Sequence, residues 1–255
     1  MRLSDAAAAC ARIVEQGDPD RFRTAMAAPV AAREVLFPLY AFNVEVARAP
    51  WVTQEAMIAE MRLQWWRDAL EEIASGGSVR KHEVTTPLAG ILTQQMVRQL
   101  DEAVAARRWD IYRDAFDDEA HLERYLDQTA GHVMWTAAAC LGAPASQEAA
   151  VRSIGGAAGL VAFLRAVPAL EQARRTPLLD GTPGGIAALA GRIRAGLIMP
   201  RLPRTARPAL WPGIGARYVL DRVIRDPALV AEGRMPVAMT HWRLSATALI
   251  GRVQL

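Results

Sequence analysis

Residues 54–75 read QEAMIAEMRLQWWRDALEEIAS and are followed by Gly76-Gly77. Apolar side chains at Ile58, Met61, Trp65, Ala69 and Ile73 recur every three or four residues, while Arg62, Asp68 and Glu72 fall off that line. A repeat near 3.6 residues puts such positions on one face, so the spacing predicts a helix from Gln54 to Ser75 with this stripe packed inside. The glycine pair stops it, because a residue without Cβ takes the left-handed conformation that ends a helix.

The same periodicity predicts helices over about 3–16, 29–49, 85–107, 117–142, 146–167, 184–199, 214–225 and 236–252. Asp117-Asp118-Glu119 suits the exposed amides of a first turn, so these acids read as a helix start and not as a metal site. Period-two runs rich in Val, Ile and Thr are absent, and the fold class is all-α. The Pro/Gly-rich stretches at 176–185 and 200–213 are short enough to be loops between packed helices, and residues 1–255 are taken as one domain. Abundant alanine allows close helix approach in a tight bundle.

With 255 residues and 52% hydrophobic content, the chain can bury a sizeable core. Its first apolar stretch is broken by Arg12, Glu15 and Asp18, unlike a secretory signal, and no segment offers about 20 uninterrupted apolar residues. The expectation is a soluble, cytoplasmic protein. Cys10 and Cys140 stand alone, and His82, His121, His132 and His241 give no metal-ligand spacing. Residues 1–150 carry 15 basic and 22 acidic side chains, and residues 151–255 carry 15 and 5, so net charges of −7 and +10 hide behind the overall +3. Solvated arginines spread over several helices are the plainer reading of a basic C-terminal portion; it also suits an acidic partner, a phosphate-bearing ligand or peripheral contact with the inner face of an anionic membrane. No nucleic-acid module is recognisable.

From Arg33 to Leu70 the chain reads REVLFPLYAFNVEVARAPWVTQEAMIAEMRLQWWRDAL. This resembles the opening of squalene and phytoene synthases, where an Arg precedes a Leu-Tyr-Ala-Phe run on a long helix and a Trp-containing helix follows. The likeness continues through Tyr125, Thr129-Ala130-Gly131, Gly156-Ala157-Ala158-Gly159-Leu160 and Leu164-Arg165. It implies an isoprenoid synthase-like helical bundle around a central cavity. In active members two Asp-rich motifs on facing helices bind magnesium that holds a prenyl diphosphate. Carboxylates four residues apart share a helical face and converge on such ions, whose charge stabilises the departing diphosphate.

On this resemblance the first motif's acids fall at Ala47, Arg48 and Trp51, and the second motif's at Ala166, Ala169 and Leu170. Glu45 and Glu171 are the nearest carboxylates, single and displaced. No catalytic residue, metal ligand or cofactor is therefore assigned. The runs AFNVE at 41–45, MRLQWW at 61–66 and LRAVP at 164–168, with Arg174-Arg175 after them, are similar to the complex I assembly factor branch, a mitochondrial protein that has lost the aspartates. The resemblance implies a catalytically degenerate protein acting by binding, with a respiratory complex I subunit or assembly intermediate as partner. The alternatives are an active magnesium-dependent prenyltransferase condensing two prenyl diphosphates and a non-catalytic isoprenoid or lipid carrier.

The candidate cavity or anion-binding residues are Arg33, Tyr40, Phe42, Glu45, Arg62, Trp65 and Arg165. Tyr40, Phe42, Trp65 and Trp66 suit an apolar ligand or a plain core. Arg33, Arg62 and Arg165 face an anion or pair with Glu45, Glu60 or Asp68. His132 has no acid–base partner in sight and reads as a packed or hydrogen-bonded histidine. The Gly155–Gly159 run follows no strand and so reads as close helix packing, not as a nucleotide loop.

Overall fold

The computed structural model describes residues 2–238, 244, 245, 247 and 248. Among them are twelve α-helices and no strand. The first six are α1 (Asp5–Gly17), α2 (Pro19–Ala27), α3 (Val30–Arg48), α4 (Ala56–Ser75), α5 (Thr85–Ala89) and α6 (Gln94–Ala106). Then come α7 (Glu119–Leu126), α8 (His132–Cys140), α9 (Glu148–Gln172), α10 (Pro183–Ala195), α11 (Ala216–Arg225) and α12 (Ala228–Ala231). Short 3₁₀ turns lie at Ala49–Trp51, Arg107–Asp110, Ala145–Gln147 and Arg207–Gly213, and one π-helical turn, Asp127–Gly131, joins α7 to α8.

Two apolar clusters fill the interior. One gathers α1 to α6, α8 and the Arg207–Gly213 turn, and the other gathers α7, α9, α10 and α11. Helix α9 serves both, giving Val151 and Ile154 to the first and Leu160, Leu164, Val167 and Leu170 to the second. With its preceding turn, 145–172, it is long and apolar enough to cross a membrane by length and composition, yet half of its apolar 18-residue stretch is buried inside the protein. It is the bundle's central helix. Gly155 and Gly159 explain how closely it approaches the π turn, since a Cβ on Gly155 would sit 2.7 Å from Gly131 Cα and one on Gly159 2.8 Å from Ala130 Cβ. The glycine run is thus a packing feature, as its sequence context suggests.

Several boundaries differ from the sequence reading, each for a local reason. Helix α2 is additional: Asp18 caps the end of α1 and then accepts the Arg21 amide at 2.9 Å, with Pro19 pre-set in the first turn. The expected helix 85–107 divides at 90–93, where the Thr93 hydroxyl accepts from the Met96 amide at 3.4 Å and starts α6. Helix α9 runs through Pro168 to Gln172, because Val167 and Leu170 are buried on either side and offset the lost hydrogen bond. The helix expected over 236–252 falls mainly outside the described residues; 236–238 are non-helical and 244, 245, 247 and 248 are helical. Gly76, at φ 67°, ends α4 as expected.

The buried face of α4 corrects the opening stripe. Ala59, Leu63, Trp66, Ala69 and Leu70 are buried, whereas Met61 is 66% exposed and Ile58 39% exposed. The helix has an apolar arc wider than its seam with the core, so two stripes one residue apart share the helical period. The stripe that buries Leu63, Trp66 and Leu70 wins, leaving Trp65 half-buried at the edge.

Candidate functional site

At the junction of the two clusters lies a cavity of about 390 Å³. Helix α3 contributes Asn43, the following 3₁₀ turn Trp51, the π turn Thr129 and Ala130, and α9 Gly159, Phe163, Arg165, Ala166 and Leu170. A second recess of about 420 Å³, lined by Ala47 and Arg48, shares Asp18, Arg21, Asn43 and Arg107 with it. Three positions that the resemblance assigns to metal-binding acids, Trp51, Ala166 and Leu170, therefore meet on one cavity wall, and all three are apolar.

The polar side of the cavity closes on itself. Arg107 and Asp110, three residues apart on one turn, form an ion pair at 3.2 Å with the Asp110 side chain 5% exposed. Tyr125 donates its hydroxyl to Asp110 Oδ1 at 2.9 Å and accepts from Arg107 Nη1 at 3.0 Å. Burial pushes the Tyr125 phenol well above its ordinary range and keeps it a donor. Arg175 donates to the Asp110 carbonyl at 2.5 Å and lies over the Trp51 ring at 4.9 Å. Asn43 is the exception: it is 8% exposed, lines the cavity and has no side-chain partner among the described residues.

The candidate residues named from sequence scatter over four places. Arg33 lies away from the cavity, donating to the Ala28 carbonyl at 2.8 Å and the Met26 carbonyl at 2.6 Å, where it ties down the end of α2. Tyr40 and Phe42 are core, Tyr40 with a buried hydroxyl that finds no partner among the described residues and Phe42 edge-on to Trp66 with ring centres 5.4 Å apart. Arg165 does line the cavity, and its guanidinium donates to the Pro236 carbonyl at 2.8 Å. Glu45, Arg62 and Trp65 meet in a separate surface groove of about 450 Å³, where Glu45 pairs with Arg48 at 3.1 Å. His132 donates from Nδ1 to the Gln99 carbonyl, 2.9 Å away, within the packed interior.

Sequence reasoning missed Arg107 and Asp110 as cavity groups, and Arg175 as the arginine laid over Trp51 behind them. An Arg and an Asp three residues apart are visible in the sequence, but nothing local marks that pair as buried.

The donor set does not fit the magnesium that the family resemblance implies. Among the described residues no group of three or more His, Cys, Asp or Glu could hold a metal ion. The cavity's carboxylates are already engaged, Asp18 with Arg21 at 2.7 Å, Asp20 with Arg23 and Asp110 with Arg107 and Tyr125. Magnesium needs several hard oxygens converging in near-octahedral array, and the described residues bring no such set together here. Burial pushes the thiols of Cys10 and Cys140 up to about 12 and about 11, so neither supplies a thiolate.

A squalene/phytoene synthase profile matches residues 14–178, more than half of the chain. The NADH dehydrogenase (ubiquinone) complex I assembly factor 6 homolog of Drosophila melanogaster is 29% identical over 166 residues, covering 62% of this chain and 50% of that protein. The Homo sapiens assembly factor 6 is 26% identical over 172 residues, covering 62% and 48%. The chain spans about half the length of these relatives. In solved structures, a dehydrosqualene synthase in complex with ligand superposes with a TM-score of 0.72 over 96% of this chain and 94% of its own, at 15% identity. A squalene synthase from Alicyclobacillus acidocaldarius gives 0.63 over 91% and 95%, at 16% identity. These two establish the all-α isoprenoid synthase fold.

Proposed function

The chain belongs to the squalene/phytoene synthase family, and we propose that within it the protein has given up catalysis and acts by binding, in support of respiratory complex I assembly. One observation carries the first half. The cavity wall presents Trp51, Ala166 and Leu170 where converging acids would be needed, and its remaining carboxylates are bonded to arginines. Without hard oxygens there is no place for the cations that would steady a departing diphosphate. Names of relatives that share 25–29% identity support the second half.

The deciding experiment incubates the purified chain with farnesyl or geranylgeranyl diphosphate and millimolar magnesium and measures diphosphate release. The expected result is release no faster than in buffer. Magnesium-dependent turnover that vanishes in Asp110→Asn or Glu45→Ala would overturn the reading. For the assembly role, deleting the gene in its host should lower the amount of assembled complex I on native gels, with the wild-type chain restoring it; an unchanged complex I profile would refute that half.

The cavity favours a second reading alongside the first. Its Phe163, Val161 and Leu170 walls and its volume suit a small apolar ligand, bound and not converted. Organic extraction of the purified chain followed by mass spectrometry tests this: a stoichiometric isoprenoid or lipid supports it, and an empty extract counts against it.

A further inference from the structure

The groove between α4 and the end of α3 with its following turn has a different character from the cavity. Its floor is the edge-on pair Trp65 and Trp66, with ring centres 4.9 Å apart, and its walls are Ala49, Val52, Ile58 and Met61. Several of these apolar groups are open to solvent: Met61 is 66% exposed, Val52 45% and the neighbouring Met57 76%. A run of large apolar side chains left outside by its own helix marks an interaction surface. Methionines on such a surface adapt their shape to a partner's side chains.

The groove's rim decides what fits. Arg48 already has Glu45 at 3.1 Å, whereas Arg62 is exposed and has no acidic partner among the described residues. The rim therefore carries one positive charge beyond what it neutralises, and a carboxylate on the occupant would meet it. A second copy of this chain suits the groove poorly, because a two-fold contact would bring Arg62 toward its own copy while the groove's one carboxylate, Glu45, is already paired with Arg48. A concave slot with a tryptophan floor takes the ridge of a helix, with anchors three, four and seven residues apart. We infer that this groove docks an amphipathic helix of a protein partner, with Leu, Ile, Met or Phe on its inner face and an Asp or Glu set against Arg62. The inference deepens the binding role proposed above, yet it rests on the groove alone for its geometry. Diphosphate release by the cavity would refute the loss of catalysis and leave the groove untouched.

The test pans a phage library of helix-biased 16-residue peptides against the full chain and measures synthetic copies of the winners by fluorescence anisotropy. Winners should carry the apolar spacing and at least one acid. Their affinity should fall about tenfold or more with Met61→Asp and with Arg62→Glu, as expected for a central contact. Ile198→Asp, which changes an exposed apolar residue outside the groove, should leave it unchanged. Replacing the peptide's acid by lysine should recover part of the loss against Arg62→Glu. Melting curves check that each variant folds, and both groove positions are exposed enough for that. The proposal is overturned if no winner depends on Met61, or if winners lack acids. It is equally overturned if phosphatidylglycerol vesicles bind the chain in a Met61-dependent way, which would make the surface a membrane contact.

Discussion

The cavity and the groove are built from similar residues, a tryptophan or two, arginines and a lining of small and large apolar groups, yet they differ in where their polar groups are spent. In the cavity Arg107, Asp110 and Tyr125 satisfy one another away from water. In the groove Arg62 finds no acidic partner among the described residues and Met61 stays in solvent. The difference teaches where charge can be answered: in the cavity arginines close over the carboxylates and make that corner a structural one. The surface that stays open is the apolar one, around Met61 and Val52.

The strongest way to break this contrast is at the cavity. Asp110→Ala leaves the Arg107 guanidinium buried without its carboxylate and Tyr125 without its acceptor. Removing one member of a buried pair costs about 3–5 kcal/mol, so urea denaturation should show a loss of that size. A loss below about 1 kcal/mol would mean that the pair is solvated like a surface one, and the contrast with the groove would collapse.

The next test separates neighbours on α4. Trp66 is 6% exposed and packs against Phe42, so Trp66→Ala should cost about 3 kcal/mol through the cavity it leaves. Trp65 is half-buried and leans on His82 and the Arg80 guanidinium. Trp65→Ala should cost clearly less, about 1 kcal/mol for a partly exposed ring. Reversed costs would put the stripe back where the bare periodicity placed it. Smaller still is Met61→Asp, which should shift stability by less than about 0.5 kcal/mol because the side chain lies in solvent. A larger loss would show that Met61 belongs to the core and not to an open groove.

How far the sequence speaks follows from these same residues. The all-α fold was legible because helical spacing is a local property, and the ordered motifs from Arg33 to Arg165 named the family that the profile match establishes. The apolar wall at Trp51, Ala166 and Leu170 was legible too, because the resemblance supplied the register. Which of two adjacent stripes on α4 turns inward was not, since both obey the same period and only the facing helices choose. Nor was the burial of Arg107 and Asp110, whose spacing reads equally well as an ordinary surface pair. Arg33 shows the limit of the resemblance itself, for an arginine at the family's position here ties down a helix end instead of facing a ligand.

The smallest effect concerns how the groove's floor is held, and it has a pH signature. Arg80 grips the Glu72 carboxylate through its side chain at 2.6 Å and its backbone amide at 2.9 Å, and it donates to the Trp65 carbonyl at 3.3 Å. The Arg80 side chain, and then its amide, hold the Glu72 carboxyl down to about 2. In the unfolded chain a glutamate titrates near 4.3. The folded state therefore keeps Glu72 ionised where the unfolded state has taken up a proton, and stability falls as pH drops through that interval. The contribution should be present in full above about pH 5, fade as the pH falls from about 4.3 toward 2, and vanish below the folded value. The measurement is the difference in Tm between the parent and Glu72→Gln across that range, since the protein's other acids titrate in both and cancel. The parent should melt higher at neutral pH, and the two curves should converge at the acid end. A difference that stays constant with pH would mean that the Arg80 contact does not depend on the carboxylate's charge, and Trp65 would owe its place in the groove to packing alone.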